Sequence, residues 1–101
     1  MPRVVRLAPR ARHDLSAIRR WQMQPGSGAA ARRRVLAILD AIDRLAEFPC
    51  LGAVGDHPGR REISCQGHRI IYRVAPDTLD NATAGDELVL RVFAPGQDRS
   101  S

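Results

Sequence analysis

The chain has 101 residues, 44% hydrophobic and 27% charged, which is enough for one small packed core and excludes a disordered, charge-dominated tail. Its formal net charge is +5 and all sixteen basic residues are arginine. That excludes chemistry built on a lysine of lowered pKa and leaves forked recognition of carboxylates or phosphates.

Other compositional features narrow the field further. Only four aromatic residues are present, Trp21, Phe48, Tyr72 and Phe93, too few for a base-stacking platform that holds single-stranded nucleic acid. Cys50 and Cys65 are too few for a disulfide framework or a zinc site, so two reduced packing thiols are expected, with no metal and no cofactor. No apolar run reaches the ~18 residues of a membrane span, and the N-terminus lacks the apolar stretch of a signal peptide. The expectation is a cytoplasmic single domain with no membrane contact, whose basic surface meets an acidic partner.

Taken in chain order, residues 3–8 read as a short strand with Val5 and Leu7 on one face and Val4 and Arg6 on the other. Pro9 then suits the first turn of a helix running to about Met23. Its apolar stripe is Ala11, Leu15, Ile18 and Gln22 or Trp21, which leaves His13 and Asp14 as ordinary surface residues. Residues 24–28, Gln-Pro-Gly-Ser-Gly, make a turn.

A second helix is expected from about Ala29 to Phe48, burying Val35, Leu36, Ile38, Leu39, Ile42, Leu45, Ala46 and Phe48. The run Arg32-Arg33-Arg34 falls on its solvated side. Pro49 ends this helix, and residues 50–59 form a loop rich in glycine and proline that carries an exposed His57.

From Gly59 to Val74 the sequence reads as a β-hairpin turning at Gln66-Gly67, because glycine supplies the positive φ that a tight turn requires. His68 packs against the turn and Tyr72 belongs to the core. Residues 75–86 form a polar, exposed and mobile tip, and Glu87–Phe93 form the last strand.

The result is an α+β fold, β-α-α-β-β-β, with a helical hairpin on one face of a mainly antiparallel sheet. Strict alternation turns Val5, Leu7, Ile63, Cys65, Ile70, Tyr72, Val74, Leu88, Leu90 and Val92 toward the helices. The opposite face then carries Arg6, Glu62, Ser64, Arg69, Ile71, Arg73, Val89, Arg91 and Phe93. Arginines over an apolar floor make this a docking surface. Its basic set is Arg6, Arg60, Arg61, Arg69, Arg73 and Arg91, and its apolar contacts are Ile71, Val89 and Phe93, with Trp21 on the helical side.

An ordered series of segments carries a family resemblance. It begins at Leu7-Ala8-Pro9-Arg10-Ala11-Arg12-His13-Asp14-Leu15 and Ile18, and continues through Ile42, Leu45, Phe48-Pro49 and Leu51-Gly52. It then runs through Arg61-Glu62-Ile63, Gly67-His68-Arg69-Ile70-Ile71-Tyr72-Arg73-Val74, Leu90-Arg91-Val92 and Gln97-Asp98. This series resembles the ParE branch of the ParE/RelE toxins of type II toxin–antitoxin (plasmid stabilisation) modules.

The resemblance implies a growth-inhibiting toxin held by a cognate ParD-like antitoxin. In the ParE branch the target is DNA gyrase and no reaction is catalysed. In the RelE branch the same fold cleaves messenger RNA on the ribosome, using sheet lysines and arginines and a tyrosine or histidine near the C-terminus. Here Arg60 stands in for one strand lysine, Glu62 beside it repels phosphate, and Arg69 matches both branches. After the last strand there is neither Tyr nor His, and Ala94 falls where many relatives carry histidine. The resemblance therefore points to a gyrase-binding toxin without catalytic residues. The alternatives are a RelE-like ribonuclease and an attenuated chain that only binds its antitoxin. A groove-reading motif is absent, so sequence-specific DNA binding by this chain alone is not expected.

Overall fold

The computed structural model describes residues 3–22, 24–26 and 28–95. Seven elements follow one another: β1 (Val5–Leu7), α1 (Pro9–Gln22), α2 (Gly28–Arg44), β2 (Ala53–Val54), β3 (Arg60–Cys65), β4 (His68–Ala75) and β5 (Asp86–Phe93). The strands form one five-stranded sheet in the order β1-β5-β4-β3-β2. Only the β1–β5 pairing is parallel. No described helix is long and apolar enough to cross a membrane.

Both helices pack by their apolar stripes. Ala11, Leu15 and Ile18 of α1 meet Ile38 and Ile42 of α2, with Leu45 just beyond it, over Ile70, Tyr72, Val74, Val89 and Val92 of the sheet. The expected end of α2 needs correction. Regular α-helix stops at Arg44, and Leu45, Ala46 and Glu47 donate to the carbonyls three residues back, a tighter winding common at helix ends. That change of pitch swings Phe48 out to 39% exposure, and Leu36 lies 63% exposed on the solvent side.

The hairpin turn forms as the sequence predicts. Gln66 and Gly67 take φ values of 54° and 78°, the consecutive positive pair of a two-residue turn between twisted strands. Two parts of the expected sheet need correction. Within the stretch read as loop, Ala53 and Val54 pair with Glu62 and Arg61 and form an exposed edge strand. In β5 the register shifts: Ile71 lies opposite Arg91, but Tyr72 lies opposite Val89, so Leu90 is an extra residue, a β-bulge.

The bulge reverses the faces of half of β5. Val89, expected on the docking face, is fully buried in the core opposite Tyr72. Leu88 and Leu90, expected in the core, turn the other way. Leu88 stands between Arg6 and Arg73, and Leu90 lines the outer groove.

The loop from Pro76 to Gly85 is not a free tip. Arg3 donates to the carbonyls of Ala84 (2.6 Å), Ala46 (2.9 Å) and Asn81, and Asn81 Oδ1 accepts from the Cys50 amide at 2.8 Å. Ala84 is buried. These bonds tie the loop to both the N-terminal strand and the end of the helical hairpin.

Candidate binding face

The face of the sheet turned away from the helices is a concave groove of about 740 Å³. Its floor includes Ile71, Leu90 and Phe93, and its walls include Arg60, Arg69 and Arg91, with Asp56 and His57 at the β2 rim. The strands deliver these side chains by simple alternation, so Arg60, Glu62 and Ser64 of β3 lie opposite Arg73, Ile71 and Arg69 of β4.

The arginines expected to act together fall into two groups. Arg69 is ion-paired with Glu62 across the strand pair. Arg91 donates from Nε and Nη2 to Asp14 of α1 at 2.8 and 3.2 Å, and its guanidinium lies 4.5 Å from the Phe93 ring centre. The paired carboxylate strengthens the hold of Arg91 on its proton, raising its pKa. Arg6, Arg60 and Arg73 are exposed and in no ion pair among the described residues.

Arg61 does not belong to this face. It lies opposite Tyr72 on the helix side and is 6% exposed. Its Nε and Nη2 grip Asp77 at 2.8 and 3.1 Å, and Nη1 reaches the Gly52 carbonyl at 2.8 Å. The ion pair raises the Arg61 pKa and holds the Asp77 carboxyl below the usual carboxylate range. The alternation of β3 dictates this, since residues flanking Arg60 and Glu62 must point inward.

The apolar residues also divide. Ile71 is half-buried in the groove, while Phe93 is 6% exposed beneath Arg91. Trp21 lies away from this face, 74% exposed on α1, beside a second hollow of about 510 Å³ lined by His13, Ile18, His68, Val92 and Pro95.

Asp14 was expected at the surface and is instead buried, accepting from the Val92 amide at 2.8 Å as well as from Arg91. β1 stops at Leu7, so beyond it α1 lies along the open edge of β5, and Asp14 satisfies a ladder donor that has no strand beside it. A signal was present in the sequence. Ala11, Asp14, Leu15 and Ile18 stand at i, i+3, i+4 and i+7, which is the buried stripe itself.

Two proton-carrying side chains, Tyr72 and His68, lie off the groove, whereas His57 stands at its β2 rim. Tyr72 is fully buried, donates to the Pro49 carbonyl at 2.8 Å and accepts from the Gly52 amide at 2.9 Å, and burial raises its pKa. A Cβ at Gly52 would stand 2.8 Å from that hydroxyl and 2.7 Å from the Glu62 carbonyl oxygen, so only glycine lets the loop approach this closely. His68 is 2% exposed, with Nδ1 at 3.1 Å from the Gln66 carbonyl.

The sequence and the fold both match a known family. The ParE toxin of the type II toxin–antitoxin system, parDE, matches residues 5–95. The chain belongs to the ParE toxin family. A curated relative, "Toxin RelE3" of Caulobacter vibrioides, is 35% identical over 78 residues, covering 74% of this chain and 84% of that protein. Among solved structures, the "Chromosomal ParDE TA system from P. aeruginosa" superposes with a TM-score of 0.66 at 18% identity, over 92% of this chain and 96% of that one. The likeness extends to the α+β fold, two helices against a mixed five-stranded sheet. As a ParE-family chain, the protein is the toxin of a type II toxin–antitoxin module.

Proposed function

We propose that this ParE-family toxin acts by binding DNA gyrase, without catalysing a reaction, and is neutralised by a ParD-like antitoxin. The observation that carries the reading is the condition of Tyr72, His68, Arg69 and Arg91, groups that a ribonuclease would need free. Cleavage by a ribose 2′-hydroxyl requires a base or its electrostatic substitute, a leaving-group acid and cations free to meet the phosphate. Tyr72 is sealed in the core with its hydroxyl bonded twice, and His68 is buried against its own turn. Arg69 and Arg91, two of the cations that line the groove, already hold carboxylates. A groove of this kind is suited to being bound by another protein.

A second reading has two observations in its favour. The Caulobacter relative is named as a RelE toxin, and Arg60 and Arg73 are available to phosphate, which fits a ribosome-dependent ribonuclease. The two are separated by inducing the chain in cells and assaying the purified protein. The gyrase reading expects elongated cells, induction of the DNA-damage response and loss of supercoiling in vitro, reversed by a ParD-like antitoxin. Rapid cleavage of ribosome-bound messages with normal supercoiling would overturn it.

A further inference from the structure

The strand register aligns four outer-face residues in a single row across the sheet. Arg6 of β1 lies opposite Leu88 of β5, Leu88 opposite Arg73 of β4, and Arg73 opposite Arg60 of β3. With neighbouring strands ~4.8 Å apart, the row spans roughly 14 Å, with Arg60 and Arg73 side by side and Arg6 roughly 10 Å beyond. No carboxylate stands in it.

Elsewhere on the face the charges are compensated. In the next rung Glu62 of β3 faces Ile71, and Glu62 neutralises Arg69 of the rung after it. Arg91 is neutralised by Asp14. Near the row, Asp86 accepts from the Val4 amide at 3.0 Å, and Asp56 at the β2 rim forms no ion pair among the described residues. Like charges directly opposite on antiparallel strands oppose folding. Arg60 and Arg73 are placed so with nothing between them, an arrangement that a bound carboxylate would relieve.

We propose that the row Arg6–Leu88–Arg73–Arg60 is the docking rung for an acidic peptide segment of the antitoxin that crosses the strands. One carboxylate lies between Arg60 and Arg73, a second meets Arg6, and an apolar side chain between them sits on Leu88. This rests on the antitoxin reading above and narrows it, because it excludes Arg61, Arg69 and Arg91 from the pairing. Charge complementarity selects the occupant, since guanidinium pairs grip carboxylates through forked hydrogen bonds and Leu88 supplies an apolar contact that a phosphate backbone does not use.

The test uses the full-length chain and a fluorescent synthetic peptide of alternating glutamate and leucine, with anisotropy read at 50 and 200 mM NaCl. The wild-type chain binds it, and affinity falls with salt. Replacing all three arginines, Arg6→Gln, Arg60→Gln and Arg73→Gln, lowers affinity roughly tenfold and flattens the salt dependence. Arg33→Gln, on the exposed side of α2, leaves both unchanged. Thermal melts accompany each variant, and the triple variant melts no lower than wild type, because the repulsion is removed. No binding by the wild type, equal binding by the triple variant, or an equal loss with Arg33→Gln would each overturn the proposal. So would preferential binding of a 20-nucleotide single-stranded RNA that the same three changes abolish. Neutralisation in cells by a co-expressed ParD-like antitoxin is scored separately. An antitoxin that binds the triple variant as tightly as wild type refutes the rung and leaves the toxin–antitoxin reading standing.

Discussion

Glu87 sits against the hydrophobic core with 2% of its surface exposed and neither carboxylate oxygen hydrogen-bonded among the described residues. Loss of water disfavours its ionised form and raises its pKa to about 7, despite the opposing pull of Arg3. An unfolded chain releases this proton at the ordinary carboxylate value, so between roughly pH 4.5 and 7 the native state binds the extra proton. The contribution to stability is therefore present at low pH and is lost as pH rises through about 7. Glu87→Gln removes the dependence. The variant should exceed wild type in stability at pH 8 by about 3 kcal/mol and approach it at pH 5, measured by urea unfolding at both values. A constant difference between them would contradict the assignment. Arg61 and Asp77 behave oppositely, as a buried pair whose rupture strands a charge. Asp77→Asn should cost about 3–5 kcal/mol, whereas Arg61→Met combined with Asp77→Leu should cost much less, a comparison read from denaturation midpoints.

Among the elements, β5 decides most. Its bulge at Leu90 lets the strand present Val89 and Val92 to the helices and both Arg91 and Phe93 to the groove. Val89→Ala should therefore destabilise by about 2 kcal/mol through lost core contacts, and Leu90→Ala by less than half of that. Equal costs in thermal unfolding would mean that the strand is unbulged. α1 matters for the same stretch of backbone. Where β1 ends, Asp14 takes over the pairing role of a strand, so a helix closes part of the sheet edge.

At the scale of the molecule, buried or half-buried ion pairs compensate Arg61, Arg69 and Arg91, while other described arginines, Arg6, Arg60 and Arg73 among them, stand exposed. Self-repulsion of a +5 chain is screened by salt more effectively than pairs sheltered from solvent. The melting temperature of the isolated toxin should therefore rise between 50 and 500 mM NaCl. A fall would show that the ion pairs outweigh the repulsion. Binding of an acidic antitoxin should weaken over the same range, so salt acts on fold and partner in opposite directions.

Local chemistry is legible along the chain. The helix stripes, the positive-φ turn at Gln66-Gly67 and the inward-facing Tyr72 each depend on neighbours a few residues apart, and so do the ordered segments that resemble the ParE family. The pairing of distant backbone is not legible in that way. The bulge that buries Val89, the pairing of Ala53–Val54 with β3, the reach of Asp14 across to Val92 and the clasp of Arg61 on Asp77 depend on where strands lie after collapse. One extra residue in β5 reverses every side chain on one side of it, because the side-chain period of a strand is two and carries no record of where the count is interrupted. Composition and alternation therefore determined that one face of the sheet would be basic. The tertiary structure decided which of its arginines are spent on the protein's own carboxylates and which remain for a partner.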